Sequence, residues 1–298
     1  MDEKQKKKHE AAKAKRVAKT KQERKHVLSK KSGFYLQEAY RGLRTNVDFA
    51  LANTEGCKVV MVTSSVQSEG KSITALNLAI TFGQTEKKVL LIDADMRRPK
   101  LARLMNLNAP AGLSNLLMNL NQFESAIVKS KEHNIDMILA GDIPPNPAEL
   151  LASQRMKKMM TMLRERYDIV IIDSPPVDLV VDAVALSSQC DGVLYVVRAG
   201  QTERGAVLHG MEQLEYAGAN VLGFVFNGAT SETVRGYGKY RYRKYAHYGR
   251  YGKYGKYGKY NRYNYYRYGY HGYGYGGYGY HSLHHDAPYK IEHIEERE

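Results

Sequence analysis

Residues 58–84, "KVVMVTSSVQSEGKSITALNLAITFGQ", decide the fold. Val59 to Val62 are apolar at consecutive positions, a polar loop follows, and "KSITALNLAITFGQ" then carries helical spacing. Apolar residues on both faces of a short strand mean that both faces are covered, as in a parallel sheet. Similar runs recur at "KVLLIDAD" (88–95), "IDMILAG" (135–141), "DIVIIDS" (168–174), "DGVLYVVRAG" (191–200) and "VLGFVFNGA" (221–229). Helical patterns lie between them, at "NPAELLASQRMKKMMTMLRERY", "VDAVALSSQ" and "TERGAVLHGMEQLEYAG". This alternation predicts an α/β domain, a mostly parallel twisted sheet with helices on both faces. Ahead of it, "GFYLQEAYRGLRTNVDFALAN" (33–53) predicts a helix whose Phe34, Leu36, Tyr40, Leu43, Val47 and Leu51 fall near one face.

The loop after the first strand narrows the class. Ser65-Val66-Gln67-Ser68-Glu69-Gly70-Lys71-Ser72 fits G-x-x-x-x-G-K-[ST], with Ser in place of the first Gly. In such a loop the backbone N–H groups of Ser65, Gln67, Ser68, Glu69, Gly70 and the first helical turn, through Ile73, point at a polyphosphate. Lys71 adds a point charge at the β- and γ-phosphates, and the Ser72 hydroxyl ligates Mg²⁺. A chance G-K-S is the bland alternative. A strand ahead, a helix behind and acids downstream argue against it, so a P-loop NTPase-like fold binding a nucleotide is expected. The acids are Asp93 and Asp95 at the end of the second strand and Asp173 at the end of "YDIVIID". In a parallel sheet these strand ends share the carboxyl edge with the loop, where a carboxylate organises Mg²⁺ directly or through water. The competing role for a strand-ending Asp is capping the next helix.

Charge divides the chain further. The formal net charge is +14, and residues 1–33 alone carry 13 Lys/Arg against 4 Asp/Glu. Residues 236–298 carry 12 against 5, which leaves the middle nearly neutral. Three parts are therefore expected: a basic N-terminal extension (1–32), a P-loop domain (33–235) and a disordered tail (236–298) rich in Tyr, Gly and Lys. Of the 24 tyrosines, 19 lie between Tyr237 and Tyr289, and no Val, Ile, Leu, Met or Phe stands between Val234 and Leu283. Such a tail cannot bury a core. Residues 1–32 are also too polar for one. They either lie on an anionic membrane face or form a solvated extension. The cysteines, Cys57 and Cys190, make no disulfide framework. There is no signal-peptide h-region, and no apolar run approaches the ~18 residues that span a bilayer. A cytosolic protein is expected.

As a set, "VTSSVQSEGKS", "LLIDADMRRP" and "DIVIIDSPP" resemble the Walker A, A′ and B motifs of the bacterial tyrosine kinases of polysaccharide export systems. "PPNPAELLASQRM" (144–156) and Glu38-x-x-Arg41-x-x-Arg44 resemble further elements of that family, over roughly residues 33–230 in all. The family's fold is shared with partitioning and division-site ATPases of the ParA and MinD kind. Those carry Lys near the start of the loop, where this chain has Ser65 and Val66.

The resemblance implies an ATP- and Mg²⁺-dependent tyrosine autokinase that regulates capsule or exopolysaccharide synthesis and export. Its acceptors would be the C-terminal cluster, Tyr251, Tyr254, Tyr257, Tyr260, Tyr263, Tyr265, Tyr266, Tyr268, Tyr270, Tyr273, Tyr275, Tyr278 and Tyr280, phosphorylated in trans. It implies catalytic roles for Lys71, Asp93 and Asp95, with Asp93 taking or orienting the phenol proton. Ser72, Asp95 and Asp173 would serve the metal. Asn227 would meet the adenine edge, or else simply end its strand. Glu38, Arg41 and Arg44 would hold a homo-oligomeric ring, or else form an exposed ion pair within their helix. A separate membrane adaptor chain would activate the kinase at the inner face of the plasma membrane. The alternative is a ParA/MinD-like ATPase whose tail binds nucleic acid by stacking and phosphate contacts, or serves structural adhesion. Nucleic acid is the disfavoured partner. His271, His281, His284, His285 and His293 belong to a polar tail more readily than to a metal site.

Overall fold

The computed structural model of the chain describes residues 20–119 and 123–229. The expected tail at 236–298, all its tyrosines and the first 19 residues of the basic extension lie outside the described residues. Seven strands form one sheet in the order β3-β4-β2-β5-β1-β6-β7. They are β1 (Lys58–Ser64), β2 (Val89–Asp93), β3 (Ile127–Ser130), β4 (Ile135–Ile138), β5 (Ile169–Asp173), β6 (Gly192–Arg198) and β7 (Val221–Asn227). All pairings are parallel except β3 with β4. Strand β3, half-exposed and four residues long, has no apolar run of its own, and the sequence pattern does not announce it.

The central strands are buried on both faces, as their consecutive apolar residues require. One core layer joins Val60, Val62, Leu91 and Ile171 to helix α2 (Lys71–Gly83), which buries all but one of its residues. The other joins Met61, Ile92, Ile172 and Tyr195 to α6 (Pro147–Ala152), α7 (Gln154–Arg166), α8 (Asp182–Ser187) and α9 (Arg204–Tyr216). Three short helices, α3 (Leu101–Met105), α4 (Leu113–Met118) and α5 (Phe123–Ala126), complete the element order. The single helical pattern read over 146–167 is two helices, because Ser153 is extended and its hydroxyl accepts from the Met156 amide at 3.2 Å.

Helix α1 (Phe34–Ala50) packs through Leu36, Tyr40, Leu43 and Val47 as its spacing predicts, whereas Phe34 is half exposed. Glu38 and Arg41 form an ion pair at 2.5 Å on its surface, and Arg44 turns inward to donate to the Thr81 carbonyl of α2 at 2.7 Å. The three residues therefore do not present one outward face.

Residues 20–32 pack against the domain, although their composition suggests no core contribution. Leu28 is 2 % exposed, and its amide donates to Asn77 Oδ1 at 2.8 Å while Asn77 Nδ2 donates to the His26 carbonyl at 2.9 Å. Arg103 of α3 bonds Thr20 Oγ1 and Glu23 Oε2, and Arg24 returns bonds to the Arg103 carbonyl. Leu28 and Val27, the buried Asn77 and the Arg24 and Arg103 bonds together hold this polar strap. No helix among the described residues is long and apolar enough to cross a membrane. Replacing Leu28 by Ala is expected to cost about 2–4 kcal/mol of stability, since a buried leucine leaves a cavity. Urea unfolding with an unchanged midpoint would show that the strap does not belong to the cooperative core.

Candidate nucleotide and metal site

Strand β1 ends at Ser64, and the loop 65–70 leads into α2. Gly70 sits at φ 100°, a left-handed conformation, and a Cβ there would collide with Asn227 Nδ2. Ser68 is also left-handed, at φ 69°. Left-handed turns of this kind let loop amides and a helix start face a single ligand, the arrangement that holds phosphate.

The loop is clamped from behind. The Glu69 side chain, fully buried, accepts from the Val66 amide at 2.8 Å and from the Thr202 hydroxyl. Asn227 Nδ2 donates to the Glu69 carbonyl at 2.7 Å. Ser65, standing where the loop pattern has Gly, bonds the Tyr195 hydroxyl at 2.9 Å. Gln67 accepts from Arg98 at 2.5 Å. Of the residues assigned to the ligand by the loop pattern, Glu69 is therefore a brace through its side chain. Asn227, assigned by resemblance to adenine, has its amide nitrogen committed to the loop.

Parallel register brings the acids together: Asp93 pairs with Asp173 across β2 and β5, and Asp173 with Val62 across β5 and β1. Lys71 reaches Asp95 Oδ2 at 3.2 Å, both side chains almost wholly buried. Asp95 Oδ1 accepts from the Arg98 amide at 3.0 Å. Asp93 Oδ2 accepts from the Lys100 and Leu101 amides at 3.2 and 3.0 Å, so this carboxylate does serve the start of α3. Asp93 Oδ1, both Asp173 oxygens and Ser72 Oγ are buried without a hydrogen-bond partner. Ser72 lies close enough to favour the charged form of Asp173, but not in hydrogen-bonding geometry.

Burial, reinforced by the facing Asp173, pushes Asp93 up to about 8. Burial also raises Asp173, to about 6, against the opposing charge of Lys71. Orphaned hard oxygens on Ser72 and Asp173 suit Mg²⁺, which takes one or two protein ligands and completes its shell with water and phosphate. Among the described residues no three His, Cys, Asp or Glu side chains cage a metal unaided.

Arg97 and Asp182 escaped the motif reading. The guanidinium bonds the fully buried carboxylate at 2.7 and 3.0 Å, tying the turn after Asp95 to α8. The "MRRP" following D-A-D was the available signal. Tyr195 and Thr202 carried none, because each lies far in sequence from the loop it braces.

Comparison with known proteins agrees with this geometry. A family model described as an AAA domain matches residues 57–217. The chain is 41% identical over 203 residues to the tyrosine-protein kinase YwqD of Bacillus subtilis (strain 168), covering 68% of this chain and 85% of that one. Among solved structures, the kinase domain of Escherichia coli tyrosine kinase ETK superposes with a TM-score of 0.63 at 35% identity, over 66% of this chain and 76% of that one. The chimerical protein CapA2B2 superposes with a TM-score of 0.61 at 36% identity, over 64% and 84%.

The raised carboxyls have a consequence for stability. A carboxyl lifted in the folded state contributes stability that is full below its unfolded value, 3.8, and is lost as pH rises through the folded one, about 8 for Asp93. Without magnesium or nucleotide, Asp93→Asn is therefore expected to melt higher than the parent protein by a margin that grows from pH 5 to pH 8. Parallel melting curves across that range would refute the buried, raised carboxyl.

Proposed function

Because the chain belongs to the bacterial tyrosine kinases of capsule and exopolysaccharide systems, we propose that it transfers the γ-phosphoryl group of ATP to tyrosine hydroxyls, with its own C-terminal cluster as acceptor. The observation that carries this reading is the convergence of the loop, Lys71 and three buried aspartates at one sheet edge. A chain with 19 tyrosines between Tyr237 and Tyr289 supplies the acceptor.

In this reading the loop amides and Lys71 hold the β- and γ-phosphates. Ser72, Asp95 and Asp173 would hold Mg²⁺, which would supply charge neutralisation across those phosphates. The tyrosine oxygen forms the new bond to phosphorus, ADP leaves with the electrons of the broken bond, and the phenol proton passes to Asp93 Oδ1. The loose transition state asks for alignment and neutralisation more than for a strong base. Asn227 fixes the loop against β7 and faces adenine with whatever its carbonyl oxygen has left to offer.

The partition into 1–32, 33–235 and 236–298 fits this division of labour, with part of the extension strapped to the domain. A separate membrane adaptor activates the kinase at the inner face of the membrane, and copies of the chain assemble through Glu38, Arg41 and Arg44 and phosphorylate in trans. The tail, 12 Lys/Arg against 5 Asp/Glu, is basic until modified. Each phosphotyrosine adds about −1.5 to −2, so roughly four cancel its charge and further ones reverse it and loosen the ring.

Incubating purified protein with Mg-ATP and mapping phosphotyrosine by mass spectrometry tests the assignment. Lys71→Met is expected to abolish labelling, with melting curves measured alongside to separate lost chemistry from lost fold. Deletion of 236–298 is expected to keep nucleotide binding and remove nearly all self-labelling. Normal labelling in the first, or retained labelling on residues 1–235 in the second, would sink the reading. ATP hydrolysis stimulated by DNA without phosphotyrosine would favour the ParA-like alternative.

Ring formation is separable from the chemistry. Arg41→Ala removes an exposed side chain whose only described partner is Glu38, whereas Arg44 also supports α2. Light scattering is expected to show a smaller assembly for Arg41→Ala, and for the parent protein after extensive phosphorylation. Unchanged mass in both would leave the kinase standing and remove the ring.

A further inference from the structure

A second concave site lies at the opposite, amino edge of the sheet. The residues before β2, the end of β3, the start of β4 and the last turn of α7 enclose about 440 Å³. Five cationic side chains line it. Lys87 and Arg166 are engaged by Asp48 and Glu124. Lys88, Lys129 and Lys131 are exposed and form no ion pair among the described residues. Of the two lining acids, Glu86 is exposed and Asp136 accepts from the Tyr167 hydroxyl at 2.9 Å, so the lining holds five cationic groups against two carboxylates. A cavity with this surplus of unpaired ammonium groups and an aromatic wall selects an anion, and a concave one suits a side chain better than a flat surface.

The sequence contains one anion source that comes and goes. Residues 237–262 hold nine tyrosines and nine Lys/Arg, whereas residues 263–280 hold nine tyrosines and only Arg267, with no acid. Phosphorylation at about −1.5 to −2 per site is largely offset in the first block and turns the second strongly negative. Unmodified, neither block has anything for the cavity.

We propose that this amino-edge cavity binds phosphotyrosine side chains of the 263–280 segment of another copy of the chain. The origin of the ligand rests on the kinase reading above. The cavity faces away from the nucleotide site, so a bound product segment leaves the carboxyl edge open to the next acceptor. Binding is electrostatic and reversible.

The test uses full-length Lys71→Met protein, which stays unphosphorylated, and a synthetic 263–280 peptide with phosphotyrosine at 273, 275, 278 and 280, read by fluorescence anisotropy. The phosphopeptide is expected to bind and the unmodified peptide not to. Lys129→Glu/Lys131→Glu is expected to weaken binding about tenfold or more, as charge reversal at a contact does. Lys157→Glu/Lys158→Glu on exposed α7 changes net charge equally and is expected to leave binding intact. Equal affinity in both double variants, or no binding of the phosphopeptide, overturns the proposal. So does binding to phosphatidylserine vesicles, lost in Lys129→Glu/Lys131→Glu, without binding of the phosphopeptide, since the cavity would then serve a membrane. Because the peptide is made chemically, these outcomes do not depend on whether the protein phosphorylates itself.

Discussion

The site is organised around an ion pair taken out of water. Lys71 and Asp95 face each other at 3.2 Å with almost no exposure, and removing one partner of such a pair strands the other. The pair does not balance the edge. Asp93 and Asp173 are also fully buried, with three of their four oxygens unpartnered, and both carboxyls are pushed up as a result. Burial and mutual repulsion thus penalise the ionised forms of both carboxyls, a penalty that a cation brought in with a polyphosphate would offset. Occupancy and stability are linked by that physics before any chemistry occurs.

What keeps the phosphate loop in place is equally indirect. Tyr195 of β6, Thr202 after it and Asn227 at the end of β7 each hold a loop atom through side chains more than a hundred residues away. The substitution of Ser for the first Gly of the loop becomes intelligible here, since Ser65 gives Tyr195 an oxygen to bond. The brace also joins the loop to the last described strand, from which the chain continues toward its tyrosines.

These braces mark where sequence reading stops. Strands such as Ile169–Asp173 were legible because burial on both faces writes an uninterrupted apolar run, and Gly70-Lys71-Ser72 because phosphate needs free amides beside a cation. Asp93, Asp95 and Asp173 followed from the rule that parallel strand ends share an edge. Strand β3 was not legible, since an antiparallel edge strand half in water needs no such run. Nor was the packing of Leu28, a single leucine in a lysine-rich segment, or the double duty of Asp93 as ligand edge and helix cap. Each depends on partners set by the fold rather than by spacing along the chain.

The two edges of the sheet carry opposite surpluses, and the difference comes from the fold. At the carboxyl edge, register concentrates Asp93, Asp95 and Asp173 out of water, where a cation is worth most. At the amino edge, the loops before β2 and after β3 leave Lys88, Lys129 and Lys131 exposed in an open concavity and without an ion pair among the described residues, where an anion is held weakly and screened by salt.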